Sequence, residues 1–442
     1  MTIKSGSYTS NPNNERGTWV AYVMSSGGTL EINGGTFNGE IALRNWSGAE
    51  FNSQVFYITG GQFSVDPSAF VVDGYPVVAP EAEGGYFTIG EYTTVAKIGD
   101  QEYGSLRAAV AAVEDGGTIT LVANETFTKT NRYNNGGYWD GLGYSGDKSF
   151  TIDLGGYTIS QNGALNDYLV WIKNVGSKEN TITFKNGTMD AGKTAYCALC
   201  TASSHENKLT VNLENITLIN NNSNGSVVKV RGGSEVNIKA GTKITGKDSY
   251  LGVENWNAVV NIYEGAEIYM NGTTSYNGCL VGVGGNGTIN VYGGYGKGVS
   301  GGLIAMTSGG TINAMGGEWI ANTDGTIANS NKSVLVAQSD KQYNAGAGNA
   351  VVNVTGGTYK GGYNCYGNAV GDAQINIKGG NFNANPETYV VAGYEVTENS
   401  GIYTVGKPAA LQALEAALAE GGNVTLNNDV TLLESIKVEK EV

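Results

Sequence analysis

The sequence predicts an all-β fold, a right-handed parallel β-helix in which each coil of chain stacks on the one before it. Three observations predict it. A short phrase of alternating apolar and polar residues, closed by a small-residue turn, recurs from Ile152 to Phe382. The polar residue inside the phrase is almost always asparagine. Glycine, at 68 of 442 residues, is abundant without a collagen period, which suits a chain that turns every few residues. The right hand is the near-universal hand of parallel crossovers.

The phrase reads ITFKNGTM ending at Met189, VNLENITL at Leu218, VNIKAGTKI at Ile244, VNIYEGAEI at Ile268, INVYGGY at Tyr295, INAMGGEW at Trp319, VNVTGGTY at Tyr359 and INIKGGNF at Phe382. Its second turn residue falls at Gly187, Ile216, Gly241, Gly265, Gly294, Gly317, Gly357 and Gly380, in steps of 29, 25, 24, 29, 23, 40 and 23 residues. Such self-similarity marks a solenoid, whose unit cannot bury its apolar face alone. Val211, Leu213, Val260, Ile262, Val352 and Val354 are expected to point inward and stack from coil to coil. Between them lie Asn212, Asn237, Asn261, Asn290, Asn313, Asn353 and Asn376, pointing outward. Stacked amides bond to the coils above and below, so this set reads as a structural ladder.

Taken in order, the chain opens inside a solenoid. IKSGSY, LEINGGTF and FYITGGQF place three coils before Phe63. The passage GGQFSVDPSAFVVDGYPV from Gly60 returns 319 residues later as GGNFNANPETYVVAGYEV from Gly379, leading to a hairpin with its turn around Glu398 to Gly401. SLRAAVAAVEDGGTITL from Ser105 recurs as ALQALEAALAEGGNVTL from Ala410. Both begin as short amphipathic helices, the first N-capped by Ser105 and stopped by Gly116. A helix there is expected to cover the open core and the unpaired strand edges of the first coil. Residues 1–95 therefore read as the last coils and closing hairpin of one module. Residues 96–405 read as a complete module, with a capping helix at about 105–115, coils at about 118–385 and a closing hairpin at about 386–405. Residues 406–442 read as the capping helix and first strands of the next, so the chain is expected to be an excerpt of a longer one.

Composition narrows the function. A formal net charge of −14 disfavours nucleic acid and anionic membranes as partners. No run of 18 or more apolar residues occurs, so membrane insertion by this segment is not expected. Residues 1–30 lack the apolar core of a secretory signal. Cys197, Cys200, Cys279 and Cys365 are too few for a disulfide framework. Cys197 and Cys200 form a CxxC whose members, three apart on a strand, are expected to face opposite sides as buried thiols.

The helix followed by GGTITL, the rungs of the type VNVTGGTY and the closing NPETYVVAGY together resemble the tandem pectate-lyase-like β-helix modules of very large surface proteins from anaerobic, gut-dwelling Gram-positive bacteria. That resemblance covers nearly the whole chain and implies an extracellular, cell-surface setting with further modules in the same chain. It is specific for architecture, because this fold carries lyases, hydrolases, tailspikes and plain adhesins alike.

The catalytic equipment of enzymes on this fold is largely missing. Of the elements that polygalacturonase-like hydrolases share, only Asn322-Thr323-Asp324 is matched; there is no Asp-Asp pair, and the single histidine, His205, sits in SSHEN. The five arginines do not cluster with acids, and the repetitive calcium-binding pattern is absent, so no cofactor and no metal are expected.

Binding sites are expected in two insertions. TNRYNNGGYWDGLGYSGD sets Arg132, Tyr133, Tyr138, Trp139, Asp140 and Tyr144 among glycines and asparagines, and rings beside amide and carboxylate groups suit a sugar. The 40-residue step contains LVAQSDKQYNAGAG, with Gln338, Asp340, Lys341 and Tyr343, and the next coil adds Tyr363 and Tyr366. The function so implied is a non-catalytic extracellular β-solenoid segment of a larger surface protein, a spacer or adhesin that binds glycans or another host-surface ligand. A carbohydrate-active β-helix enzyme, lyase or glycoside hydrolase, and a phage tail fibre or tailspike segment are the alternatives.

Overall fold

The computed structural model describes residues 1–10, 19–24, 30–44, 56–72, 74–127, 133–135, 138–163, 167–203, 208–272, 278–306, 309–321, 333–339, 348–366, 372–421, 425–426 and 429–436. From Gly117 to Phe382 the chain winds through about ten coils of a β-solenoid, and like strands of successive coils pair in parallel. At a strand spacing of about 4.8 Å the stack is about 45 Å long. Each full coil contributes strands to three sheets.

The first sheet begins with Gly117–Leu121 and Phe150–Asp153 and ends with Ala350–Val354 and Ala373–Ile377. The second runs from Glu125–Phe127 to Gly380–Phe382. The sequence phrase covers both of these, and its turn is the corner between them. In coils three and four the phrase remains one strand, Asn180–Asp190 and Leu209–Ile219, bent where Asn186 and Asn215 take φ of 58° and 49°. Later corners use glycine for a steric reason: a Cβ on Gly317, at φ 84°, would lie 2.6 Å from the Gly294 carbonyl oxygen of the coil below.

The third sheet has nine strands, from Leu142–Ser145 to Gly362–Tyr366. It was not distinguished in the sequence, and two expected insertions are corrected by it. Ser333–Gln338, within the stretch expected to be a loop, is a third-sheet strand paired with Gly362–Tyr366. Likewise the aromatic stretch holds an antiparallel hairpin, Tyr133–Asn135 with Tyr138–Asp140, followed by the first strand of the third sheet. The aromatic stretch was hidden by its Gly, Asn and Tyr content, and SVLVAQ by the polar and glycine-rich residues that follow it, which read as loop when no partner strand is known.

The interior is mainly apolar, with a few fully buried polar side chains such as Thr201, Asn220 and Asn255. Val211, Leu213, Val260, Ile262, Val352 and Val354 are fully buried, each such side chain contributing about 1.5–3 kcal/mol of transfer free energy. Inward rings stack at the coil spacing, Tyr359 on Phe382 at 5.3 Å between centroids. Outside the first sheet the amides form an unbroken chain. Asn212 Nδ2 donates to Thr183 Oγ1 (3.3 Å), Asn237 to Asn212 (3.0 Å), Asn261 to Asn237 (2.8 Å), Asn290 to Asn261 (2.9 Å), Asn313 to Asn290 (2.9 Å), Asn353 to Asn313 (3.0 Å) and Asn376 to Asn353 (3.0 Å).

The ends are closed by two devices. Helix α1, Leu106–Ala112, buries Leu106, Ala109 and Val110 over the first coil, with Ser105 Oγ accepting from the Ala108 N–H. The buried Glu125 carboxylate accepts from the Leu106 N–H at 2.9 Å, where the helix dipole favours a negative charge. The strand edge is covered by Ala96–Ile98, which pairs antiparallel with Gln101–Tyr103 and with Thr120–Leu121. Helix and hairpin thus divide the task expected of the helix alone, since free strand N–H and C=O groups are best met by another strand. At the other end Glu395–Asn399 and Ile402–Gly406 form the expected hairpin about Ser400 and Gly401, and Ile402–Gly406 pairs antiparallel with the last second-sheet strand. Helix α2, Ala409–Glu420, follows.

The first coils carry a separate small core of Ile3, Leu30, Ile32, Phe37, Ile58 and Phe63. Their closing pattern repeats that of the later ones: Phe63 faces Phe87 across an antiparallel pair, as Phe382 faces Tyr403.

Candidate functional site

The outward face of the third sheet in coils two to five is where the regular pattern fails. Inward positions there are Ile172, Val230 and Val283, all fully buried. Alternation puts the residues on either side of them outward. One outward row reads Trp171, Cys200, Lys229, Glu254 and Gly282 in register; the next reads Lys173, Ala202, Arg231, Trp256 and Gly284. No two neighbours in either row are alike until the glycines, so no ladder can form.

The strands also turn a corner here. Ala198 and Leu199 both face the core, as do Val227 and Val228. The bend brings Cys197 and Cys200 to one side, close enough for a thiol–thiol hydrogen bond, and corrects the expectation that they face apart. Both thiols are buried, and burial pushes the Cys197 thiol well above its ordinary range.

A buried ion pair organises the face. Lys229 Nζ lies 3.0 Å from Glu254 Oε1, with side chains only 8% and 12% exposed although both point away from the core. Glu254 takes two further donors: Trp256 Nε1 donates to Oε1 at 2.8 Å and Ser226 Oγ to Oε2 at 2.6 Å. Lys229 Nζ also sits 5.4 Å from the centroid of Tyr196, whose ring roofs it. Lys173 Nζ lies 5.9 Å from the Trp171 ring. Tyr196 and Tyr250 are 40% and 43% exposed, and between them coil four carries Gly225. Tryptophans on coils two and five, about 14 Å apart along the stack, therefore lie on either side of Cys200 and Ala202 of coil three and Lys229 and Arg231 of coil four.

The first expected site abuts this face. The Tyr133–Asp140 hairpin leads into the strand beside Tyr168–Asn174, and the Tyr168 N–H donates to Asp140 Oδ1 at 3.3 Å. Asp140 is fully buried, its Oδ2 has no hydrogen-bond partner among the described residues, and burial pushes its carboxyl up to about 7. Tyr144 instead serves packing: its ring meets Phe150 edge-on and its hydroxyl accepts from the Lys148 N–H. For Tyr133, Tyr138 and Trp139 the backbone pairing alone is described, and Arg132 lies outside the described residues.

The second expected site is divided. Gln338 and Tyr366 pair on the outward row at the far end of the third sheet, with Tyr366 58% exposed. Tyr363 packs inward against Phe382 and Tyr389 and donates its hydroxyl to the Ala384 carbonyl at 2.7 Å. Asp340, Lys341 and Tyr343 lie outside the described residues, as do His205 and Asn322-Thr323-Asp324.

Trp171, Lys229, Arg231, Glu254 and Trp256 were missed in the sequence. A signal was available: strands such as SVVKVR and LGVENW place charged and aromatic residues where an outward ladder would repeat one residue. No family model, curated protein or solved structure matches the chain.

Proposed function

We propose that this β-solenoid is a non-catalytic, glycan-binding segment of a larger extracellular surface protein, acting as spacer and adhesin. The observation that carries the reading is the outward face of the third sheet: two tryptophans and two exposed tyrosines around small residues, with polar groups between them. Flat rings stack on the apolar faces of sugars while cations and hydroxyls take their oxygens. Glu254, the carboxylate at the centre of that face, is held by three donors and supports Trp256, an arrangement suited to positioning more than to proton transfer. Tandem recurrence of the closing passage and the resemblance to modular surface proteins support the setting.

The test is a glycan array probed with the full chain and with Trp171→Ala and Trp256→Ala, alongside assays for new reducing ends and unsaturated products on every hit. Binding that both variants lose, with no product formed, is the expected result. Product formation would move the protein to the carbohydrate-active enzymes, and binding unaffected by either variant would remove this face from the account.

A further inference from the structure

We propose that Cys197 and Cys200, on coil three, form a two-coordinate site for a soft monovalent cation, copper(I). The bend of the third sheet builds it. Ala198 and Leu199 both face the core, so the strand carries the two sulfurs out on one side, where the thiols hydrogen-bond to each other and stay buried. Neither thiol belongs to the apolar core, whereas Cys365 packs against it and Cys279 accepts from the Gly301 N–H at 3.4 Å. Among the described residues no group of three or more Cys, His, Asp or Glu converges on a point. That leaves no tetrahedral zinc centre and no oxygen-rich calcium centre there. A pair of thiolates selects instead for soft ions, copper(I) among them. The sequence features that spoke against a metal concern calcium, which takes oxygen ligands.

Charge and geometry both favour the ion. Binding releases the two thiol protons to water as two sulfur–copper bonds form, and the copper keeps its oxidation state. Two thiolates around a monovalent cation leave one net negative charge, which needs a positive neighbour. Lys229 follows Cys200 in the outward row, and at Cys197 its ammonium outweighs the opposing Glu254 carboxylate. Two metal–sulfur bonds of about 2.3 Å in line set the sulfurs about 4.6 Å apart, a small parting of thiols already in hydrogen-bond contact. A disulfide would instead draw the Cα atoms to within about 7 Å. Three residues of extended strand span about 10 Å. Tyr168 and Trp171 of the coil below hold both cysteines in register, so the ion asks only the side chains to move and the disulfide asks the paired backbone.

The experiment is titration of the full chain, reduced and under nitrogen, with copper(I) in competition with bathocuproine disulfonate. Wild type is expected to keep one copper per chain against the competitor and to gain an ultraviolet thiolate-to-copper absorption band. Cys197→Ser and Cys200→Ser should each bind at least about 100-fold more weakly, since losing a ligand costs more than losing an outer partner. Cys279→Ala and Cys365→Ala should bind as wild type does. Copper should raise the melting temperature of wild type and leave that of either serine variant where it was. X-ray absorption of the wild-type complex, which needs no variant to fold, should show copper with two sulfur neighbours and no third ligand. A different coordination, no copper retained by wild type, or equal retention by wild type and both serine variants would overturn the site. So would a purified wild type two hydrogens lighter with Cys197 joined to Cys200, which would make the pair a disulfide.

Discussion

The outer faces of the first and third sheets belong to the same coils and have opposite designs. On the first sheet seven coils in succession present asparagine, and from Asn212 to Asn353 each amide donates to the coil before and accepts from the coil after, a scheme that identical neighbours extend indefinitely. On the third sheet Trp171, Cys200, Lys229 and Glu254 follow one another in register, and their contacts are a buried ion pair and ring faces. Repetition along a solenoid satisfies the stack's own polar groups. Where repetition stops, each polar group takes a partner of another kind, as Lys229 takes Glu254 and the Tyr196 ring.

The comparison assumes that both faces rest on one core, and the largest effect tests that. Val354→Asp, set between Ala314 and Ile377 in register, puts an unpaired carboxylate into the stack and should abolish cooperative unfolding by circular dichroism. A soluble variant with unchanged melting would show that the coil register is wrong. Next comes the third sheet. Glu254→Gln leaves the Lys229 ammonium buried without its counter-charge and should cost about 3–5 kcal/mol in urea denaturation. A loss below about 1 kcal/mol would mean that the pair behaves as a surface contact.

Asp140 sharpens the contrast through pH. Its carboxyl titrates at about 7 in the folded protein against an ordinary 3.8, so the folded state holds the proton more tightly. The stabilising contribution is full below the ordinary value, declines as pH rises towards 7 and is gone above it. Wild type should therefore lose up to about 4 kcal/mol across that window, a slope absent in Asp140→Asn. Equal slopes in the two proteins would indicate that the carboxyl has a partner in the folded state. The smallest effect belongs to the ladder. Asn261→Ala leaves the buried Asn237 oxygen and the half-buried Asn290 amide unpaired, for a loss of about 1–3 kcal/mol and no change in glycan binding. Lost glycan binding in that variant would break the separation between the faces.

Of the candidate site, the sequence made visible only what was dense in aromatics. Asp140 and Tyr144 stood out for their neighbours in the chain, yet one lies buried beside Tyr168 and the other packs on Phe150. Trp171 and Trp256 lie far apart in sequence, in strands without the Asn-Gly signature, and nothing local connects them.

What the sequence by itself determined is the coil: alternation fixes which residues enter the core, glycine or asparagine fixes the corner, and one repeated amide fixes the ladder. These are short-range rules, legible because every coil obeys them again. Only the tertiary structure decided the third sheet and its outer face. Corners of unequal length set the register there, so the residues that meet Lys229, its neighbours across coils, are chosen by the winding of the chain and not by their distance along it.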